Sequence, residues 1–250
     1  MSGPKPFDGL NVFVTGATGG VGKAVFMELA TRGARIFATS RSQLKLDTIA
    51  KDANDSGAVI RAVAADLTSF AQIESLTDAA AEWFESRIDV VINNAGIGYH
   101  CPVSNIRANE AAEVMAINAL APIMITTHFL PALRRSAAPK IINISSFLGS
   151  KPIPLTATYT ASKHALNGFS KVLRLEESKS NISITLIEPG AIDTAFIQRT
   201  HDPEAINKFC GQQLEQLTPS EIARWVVAVI ESPASSCPEL IRIMPMDQAI

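Results

Sequence analysis

Along most of the chain, short apolar runs rich in β-branched residues alternate with longer stretches of helical period. Residues 10–15, 35–39, 59–64, 89–93, 140–145 and 183–187 read as strands, and 20–32, 43–54, 70–86, 108–135 and 157–178 as helices. The strands are apolar without strict alternation, the pattern of a sheet covered on both faces. Strand–helix repetition predicts parallel strands joined by right-handed crossovers, hence an α/β fold with a doubly wound parallel sheet. No linker or shift of composition divides residues 1–250, so a single domain is expected. The segment at about 190–217 breaks the pattern with irregular, scattered charge, and a stretch of that length is expected to be a lid or binding element, or else a surface loop. A helix then restarts at Thr218-Pro-Ser-Glu221, which offers a capping box with proline at the first helical position, and 239–244 supplies a last strand.

Composition narrows the function classes. The chain has 250 residues, 47% of them hydrophobic, and 22 Lys and Arg against 24 Asp and Glu, a net charge of −2. That balance argues against nucleic acid or an anionic membrane as the main partner. No uninterrupted apolar run approaches the roughly 18 residues of a membrane span. The first nine residues are polar, with Pro4 and Pro6, and carry no secretory apolar region. Cys101, Cys210 and Cys237 form no C-x-x-C pair, and the four histidines show no H-E-x-x-H spacing, so neither a disulfide framework nor a metal site is expected. A reduced, cytoplasmic compartment is the corresponding expectation.

Tyr159-Thr-Ala-Ser-Lys163 places a phenol and an ammonium one helical turn apart on the same face. A free phenol titrates near 10, and a fixed cation beside it is expected to lower that value and make it a proton shuttle. Upstream, Thr15-Gly-Ala-Thr-Gly-Gly-Val-Gly22 lies between the first strand and the first helix. Glycines there permit a tight turn and close backbone approach, and the helix N-terminus faces its free N–H groups to a phosphate, which favours dinucleotide binding over a plain turn. At the end of the second strand, Thr39-Ser40-Arg41-Ser42 carries no carboxylate. A guanidinium and two hydroxyls suit a ribose 2′-phosphate, so NADP(H) is expected in preference to NAD(H).

Taken in order, these pieces resemble the short-chain dehydrogenase/reductase family along almost the whole chain. The resemblance rests on Thr15-Gly16…Gly20-x-Gly22, Asp66, Asn93-Asn94-Ala95-Gly96, Asn118, Ser145-Ser146, Tyr159-x-x-x-Lys163, and Pro189-Gly190 with Thr194. It implies a Rossmann-type, three-layer α/β/α domain. It also implies a catalytic set of Asn118, Ser146, Tyr159 and Lys163. Tyr159 would be the general acid/base, Lys163 would tune it and bond the nicotinamide ribose, and Ser146, thirteen residues upstream, would hold the substrate oxygen. Ser145 would then pack or cap, although the spacing alone does not separate the two serines. The cofactor would be held by Gly16, Thr18, Gly19, Gly20, Val21 and Gly22 at its phosphates and by Ser40, Arg41 and Ser42 at the ribose phosphate. Asp66 and Leu67 would meet the adenine, Asn94, Ala95 and Gly96 the adenosine side, and Pro189, Gly190, Ile192 and Thr194 the nicotinamide end. Asn118 in the family supports a proton-relaying water. Here Pro122 lacks the N–H that would bond the Asn118 carbonyl, so a bend is expected there.

The expected activity is hydride transfer between nicotinamide and a secondary alcohol or carbonyl, by a homodimer or homotetramer built through the helices at 108–135 and 157–178. A nucleotide-sensing regulator on the same fold, or a lyase or epimerase using the same tyrosine, are the alternatives. Tyr99, His100 and Cys101 stand as possible substrate contacts or plain loop residues, His164 as packing, and Leu148, Ile153, Leu155 and Phe196 as a candidate apolar pocket.

Overall fold

Each apolar run that reads as a strand enters one sheet in the computed structural model, which describes residues 5–53, 56–210 and 215–248. Asn54, the expected end of the second helix, and 211–214 within the expected lid lie outside the described residues. The strands are β1 (Asn11–Thr15), β2 (Arg35–Ser40), β3 (Val59–Ala64), β4 (Val90–Asn93), β5 (Lys140–Ile144), β6 (Ser183–Pro189) and β7 (Leu240–Ile243). They lie in the order β3-β2-β1-β4-β5-β6-β7, and every pairing is parallel. The helices are α1 (Gly20–Thr31), α2 (Gln43–Asp52), α3 (Phe70–Trp83), α4 (Ala108–Met115), α5 (Ala121–Leu133), α6 (Ala157–Glu176), α7 (Pro203–Cys210) and α8 (Pro219–Glu231).

Side chains alternate across the sheet and feed two separate cores. Val12, Val14, Ile36 and Ala38 pack with α1 and α8 on one face, while Phe13, Phe37, Val91 and Ile141 pack with α3 and α5 on the other. The Phe13 ring meets Phe129 of α5 edge-on at 4.8 Å. Burial on both faces is why the strand sequences lack a polar period.

Strand order reverses between β1 and β4, which opens a crevice at their carboxyl ends. Thr15 staples the two sides of it. Its hydroxyl accepts the N–H groups of Asn94 and Ala95, each at 3.0 Å. The Asn94 amide in turn donates to the carbonyls of Thr15 and Gly16 at 3.0 and 3.2 Å.

The long helix expected at 108–135 is interrupted. Between α4 and α5 the backbone widens into a π-helical turn, Ala116–Leu120, with Pro122 in the turn that follows. A proline without an N–H at that point removes one donor from the ladder, and a widened turn accommodates the loss. Within Ala108–Leu133 an 18-residue window reaches a mean hydropathy of 1.4, apolar enough to cross a membrane by composition, but half of that window is buried against the rest of the fold. The irregular segment after β6 contains a 3₁₀ turn, Ala195–Arg199, and α7, whose first N–H groups are met by the Asp202 carboxylate. The capping box of α8 is formed, with Glu221 accepting the Thr218 N–H at 2.7 Å.

β7 is fastened to β6 by a buried charge pair. Arg242 donates twice to one oxygen of Glu188, at 3.0 and 2.6 Å, and Glu188 is fully buried. The other oxygen accepts from Ser150 and Asn167, each at 2.7 Å.

Candidate active site

A cavity of ≈ 630 Å³ follows the crevice. At one end stands the glycine turn. Gly16 has φ +67°, a left-handed conformation that glycine adopts without strain, and a Cβ there would lie 2.8 Å from the Ala95 Cα. A Cβ on Gly22 would lie 2.0 Å from the Gly16 carbonyl oxygen, and one on Gly20 would lie 2.5 Å from Thr194 Cγ2. Neither position has room for a side chain. Gly19 is the N-cap of α1 and provides no side-chain cap, and the first turn of the helix borders the cavity with Thr18, Gly20 and Val21. Free N–H groups and the positive end of the helix dipole favour an anion there.

Ser40, Arg41 and Ser42 line the same end, as expected, and Lys45 joins them. Ser42 also accepts the Lys45 N–H at 3.4 Å and so caps α2. Leu67 faces the cavity, whereas Asp66 does not line it; its carboxylate accepts from the backbone N–H and hydroxyl of Thr68, both at 2.9 Å. Asn94, Ala95, Gly96, Pro189, Gly190, Ile192 and Thr194 border the middle of the cleft. Among the described residues no carboxylate lines the cavity, while Arg41, Lys45, Lys163, Arg199 and Lys208 all do. The crowded glycine turn, the open helix end and this one-signed charge fit a dinucleotide phosphate chain.

At the far end Ser146, Tyr159 and Lys163 come together, all buried. Ser146 caps the short turn after β5, accepting the Leu148 N–H at 3.2 Å. Ser145 is committed elsewhere, donating to Asn167 at 2.6 Å. Lys163 donates to the Ile144 carbonyl at 2.8 Å, and its ammonium lies 5.7 Å from the centre of the Tyr159 ring. The expectation that this ammonium lowers the phenol is not met. Burial against Phe147, Leu148, Ile153, Phe196 and Met244 pushes Tyr159 up to about 12, with the Ser146 hydroxyl pulling the other way. Burial likewise holds Lys163 down to about 8. Desolvation disfavours both charged forms, and it outweighs an ammonium engaged by a carbonyl rather than by the phenol oxygen.

Asn118 stands behind the cavity wall, in the π-helical turn. Its side chain grips Ile97 from both sides, accepting the N–H at 2.9 Å and donating to the carbonyl at 2.8 Å, and also donates to Ser162 at 3.0 Å. It therefore fixes the loop that follows β4. His100 lines the apolar end with Leu148, Ile153 and Phe196, whereas Leu155 and Cys101 do not. The His100 ring packs edge-on to Tyr159 at 5.9 Å, and burial pulls its pKa down to about 4. His164 is exposed on the outer side of α6.

Sequence reasoning missed Lys45, Lys208, Phe209, Arg199 and the C-terminal Gln248, which accepts the Ala191 N–H at 3.0 Å. The signal for Lys45 was its place in the first turn of α2, only four residues along the chain from Arg41.

Comparison with known proteins bears on the family and the fold. Residues 10–205 match the model of the family described as short chain dehydrogenase. A tropinone reductase homolog of Datura stramonium is 31% identical over 190 residues, 76% of this chain and 71% of that protein. A metagenomic short-chain oxidoreductase solved with NADP superposes with a TM-score of 0.81 at 27% identity, over 96% of this chain and 98% of that one. An alcohol dehydrogenase from the archaeon Thermococcus sibiricus, complexed with 5-hydroxy-NADP, gives 0.85 over 96% and 99%, a likeness of fold at 24% identity.

Proposed function

We propose that this chain, which belongs to the short-chain dehydrogenase/reductase family, is an NADP(H)-dependent oxidoreductase acting on a secondary alcohol or the matching carbonyl compound. The observation that carries this reading is the burial of Tyr159, Ser146 and Lys163 together at one end of a cleft whose other end is a glycine turn flanked by Arg41 and Lys45.

When bound, the nicotinamide supplies or accepts the hydride. The chain's own groups handle the substrate oxygen. Ser146 Oγ holds that oxygen in line with Tyr159 Oη, which gives it a proton in the reducing direction and takes one in the oxidising direction. A phenol pushed up to about 12 remains protonated at neutral pH, the form that serves reduction. Lys163 would bond the nicotinamide ribose, and Asn118, which keeps the loop at Ile97 in place, would support a water that relays protons to Lys163. Gly16, Gly20, Gly22 and the first turn of α1 would cradle the phosphates. Arg41 and Lys45 would receive the 2′-phosphate, and the absence of a lining carboxylate among the described residues supports NADP(H) over NAD(H). The segment at about 190–217 serves as the substrate lid. The protein works as a homodimer or homotetramer, for which the exposed Val172 and Leu175 of α6 provide an apolar face.

Tyr159→Phe tests the reading. Turnover, followed by nicotinamide absorbance with a panel of ketones, aldehydes and hydroxy acids, is expected to fall by about 10²–10⁴-fold while NADPH binding stays unchanged. Retained turnover would remove the tyrosine from the chemistry. Binding of NADPH without turnover on any substrate of the panel would favour a nucleotide sensor.

A further inference from the structure

Four side chains from four separate parts of the chain meet at the rim of the cleft. Arg41 comes from the turn after β2, Tyr99 from the loop after β4, Glu113 from α4 and Arg199 from the 3₁₀ turn at Ala195–Arg199. Glu113 is their common partner. One carboxylate oxygen lies 3.6 Å from Arg41 Nη1 and 3.2 Å from Arg199 Nη1. The other accepts the Tyr99 hydroxyl at 2.7 Å, and Arg199 also donates to Tyr99 Oη at 3.2 Å. Arg41 and Arg199 line the cavity, and Glu113 stands behind them. The neighbouring acid, Glu110, is engaged by Arg107 and His201 instead.

This arrangement bears on cofactor choice. An acid at the end of β2 would favour an unphosphorylated adenosine ribose and repel a 2′-phosphate. β2 ends without one, yet α4 delivers a carboxylate to the same place from a distant part of the sequence. That carboxylate is divided between two guanidiniums. Its contact with Arg41 is the longer and involves one oxygen, and Arg41 is more than half exposed, so Glu113 engages Arg41 only weakly and leaves its guanidinium open to a competing phosphate. Arg199 draws the same charge away from Arg41.

We propose that Glu113 sets the discrimination between 2′-phosphorylated and unphosphorylated adenosine ribose, acting through Arg41, and that Arg199 is its counterweight. Glu113 is a positioning residue: it governs how much of the Arg41 charge is available to the phosphate. The inference rests on the NADP(H) reading for its ligand, but it concerns a residue which that reading does not use.

The test is calorimetric titration of the full chain with 2′,5′-ADP and with 5′-AMP, fragments that carry no nicotinamide and need no turnover. Glu113→Gln is expected to tighten 2′,5′-ADP about three- to fivefold, the range of a half-exposed ion pair, with 5′-AMP unchanged. Arg199→Gln is expected to move the ratio of the two affinities the other way, by weakening 2′,5′-ADP more than 5′-AMP. General structural damage would not produce opposite shifts of one ratio in two variants. A ratio that does not move in either variant, or moves in the same direction in both, overturns the role of Glu113. If the unaltered protein itself binds 5′-AMP better than 2′,5′-ADP, the NADP(H) reading fails. Opposite shifts would still uphold Glu113.

Discussion

Tyr159 and Lys163 share one burial, and it moves their protons in opposite senses. Lys163 titrates at about 8 in the fold against 10.5 in the open chain. Below pH 8 both states carry the proton and the native state bears the full cost of a buried ammonium. Between 8 and 10.5 the unfolded chain still holds a proton that the native state has released, so stability rises with pH. Lys163→Met should remove that rise: its stability relative to the unaltered protein is expected to drop from pH 7 to pH 10 by on the order of 3 kcal/mol, read from urea denaturation at both values. Tyr159 does not interfere there, since a raised phenol is lost from the stability balance only as pH climbs from 10 through about 12. At the other end of the cleft, Arg41→Ala should raise the KM for NADPH much more than that for NADH in steady-state assays; equal effects would contradict the assignment. Tyr159, Lys163 and Ser146 were legible because each sits at a fixed offset on a local element. Glu113 was not legible beside Arg41, because its meeting with that guanidinium depends on how the β2 and β4 loops close over α4. The rise of the Tyr159 pKa was also hidden, since the apolar wall of Phe147, Ile153, Phe196 and Met244 comes from separate stretches of sequence.

Elements divide in the same way. Strand positions were readable to within a residue or two, as with 89–93 against β4 (Val90–Asn93), because an apolar run ended by a turn signal marks a buried strand locally. For the long helix, Pro122 marked where its ladder is disturbed at Asn118, but the form of the disturbance, the π-helical turn at Ala116–Leu120, was not readable, because apolar period persists through it. The short α7 was missed inside the irregular segment although Asp202-Pro203 is a cap followed by a first-turn proline, since eight residues give a period too little length. Two glycines in helices show what context decides. Gly22→Ala would press a methyl 2.0 Å from the Gly16 carbonyl oxygen and is expected to cost at least about 2 kcal/mol in a denaturation midpoint, with loss of nucleotide binding. Gly168→Ala, exposed in the middle of α6 with nothing within 4 Å of the new carbon, is expected to stabilise by about 0.5–1 kcal/mol in the same measurement.

At the scale of the molecule, Val172 and Leu175 are 53% and 76% exposed on one side of α6. If they are covered by a second copy, Leu175→Glu should lower the mass measured by light scattering after size-exclusion chromatography, with the far-UV circular dichroism unchanged. The sheet itself has a consequence in time. β1 and β4 pair at its interior although they are not neighbours along the chain, Val12 lining up with Val90. A polypeptide growing from the ribosome makes β1, β2 and β3 long before β4 emerges, so one flank of β1 must wait unpaired. The crevice is created only when β4 docks, so nucleotide capture must wait for that strand, and any earlier nascent chain is left with an open, sticky edge for chaperones to guard.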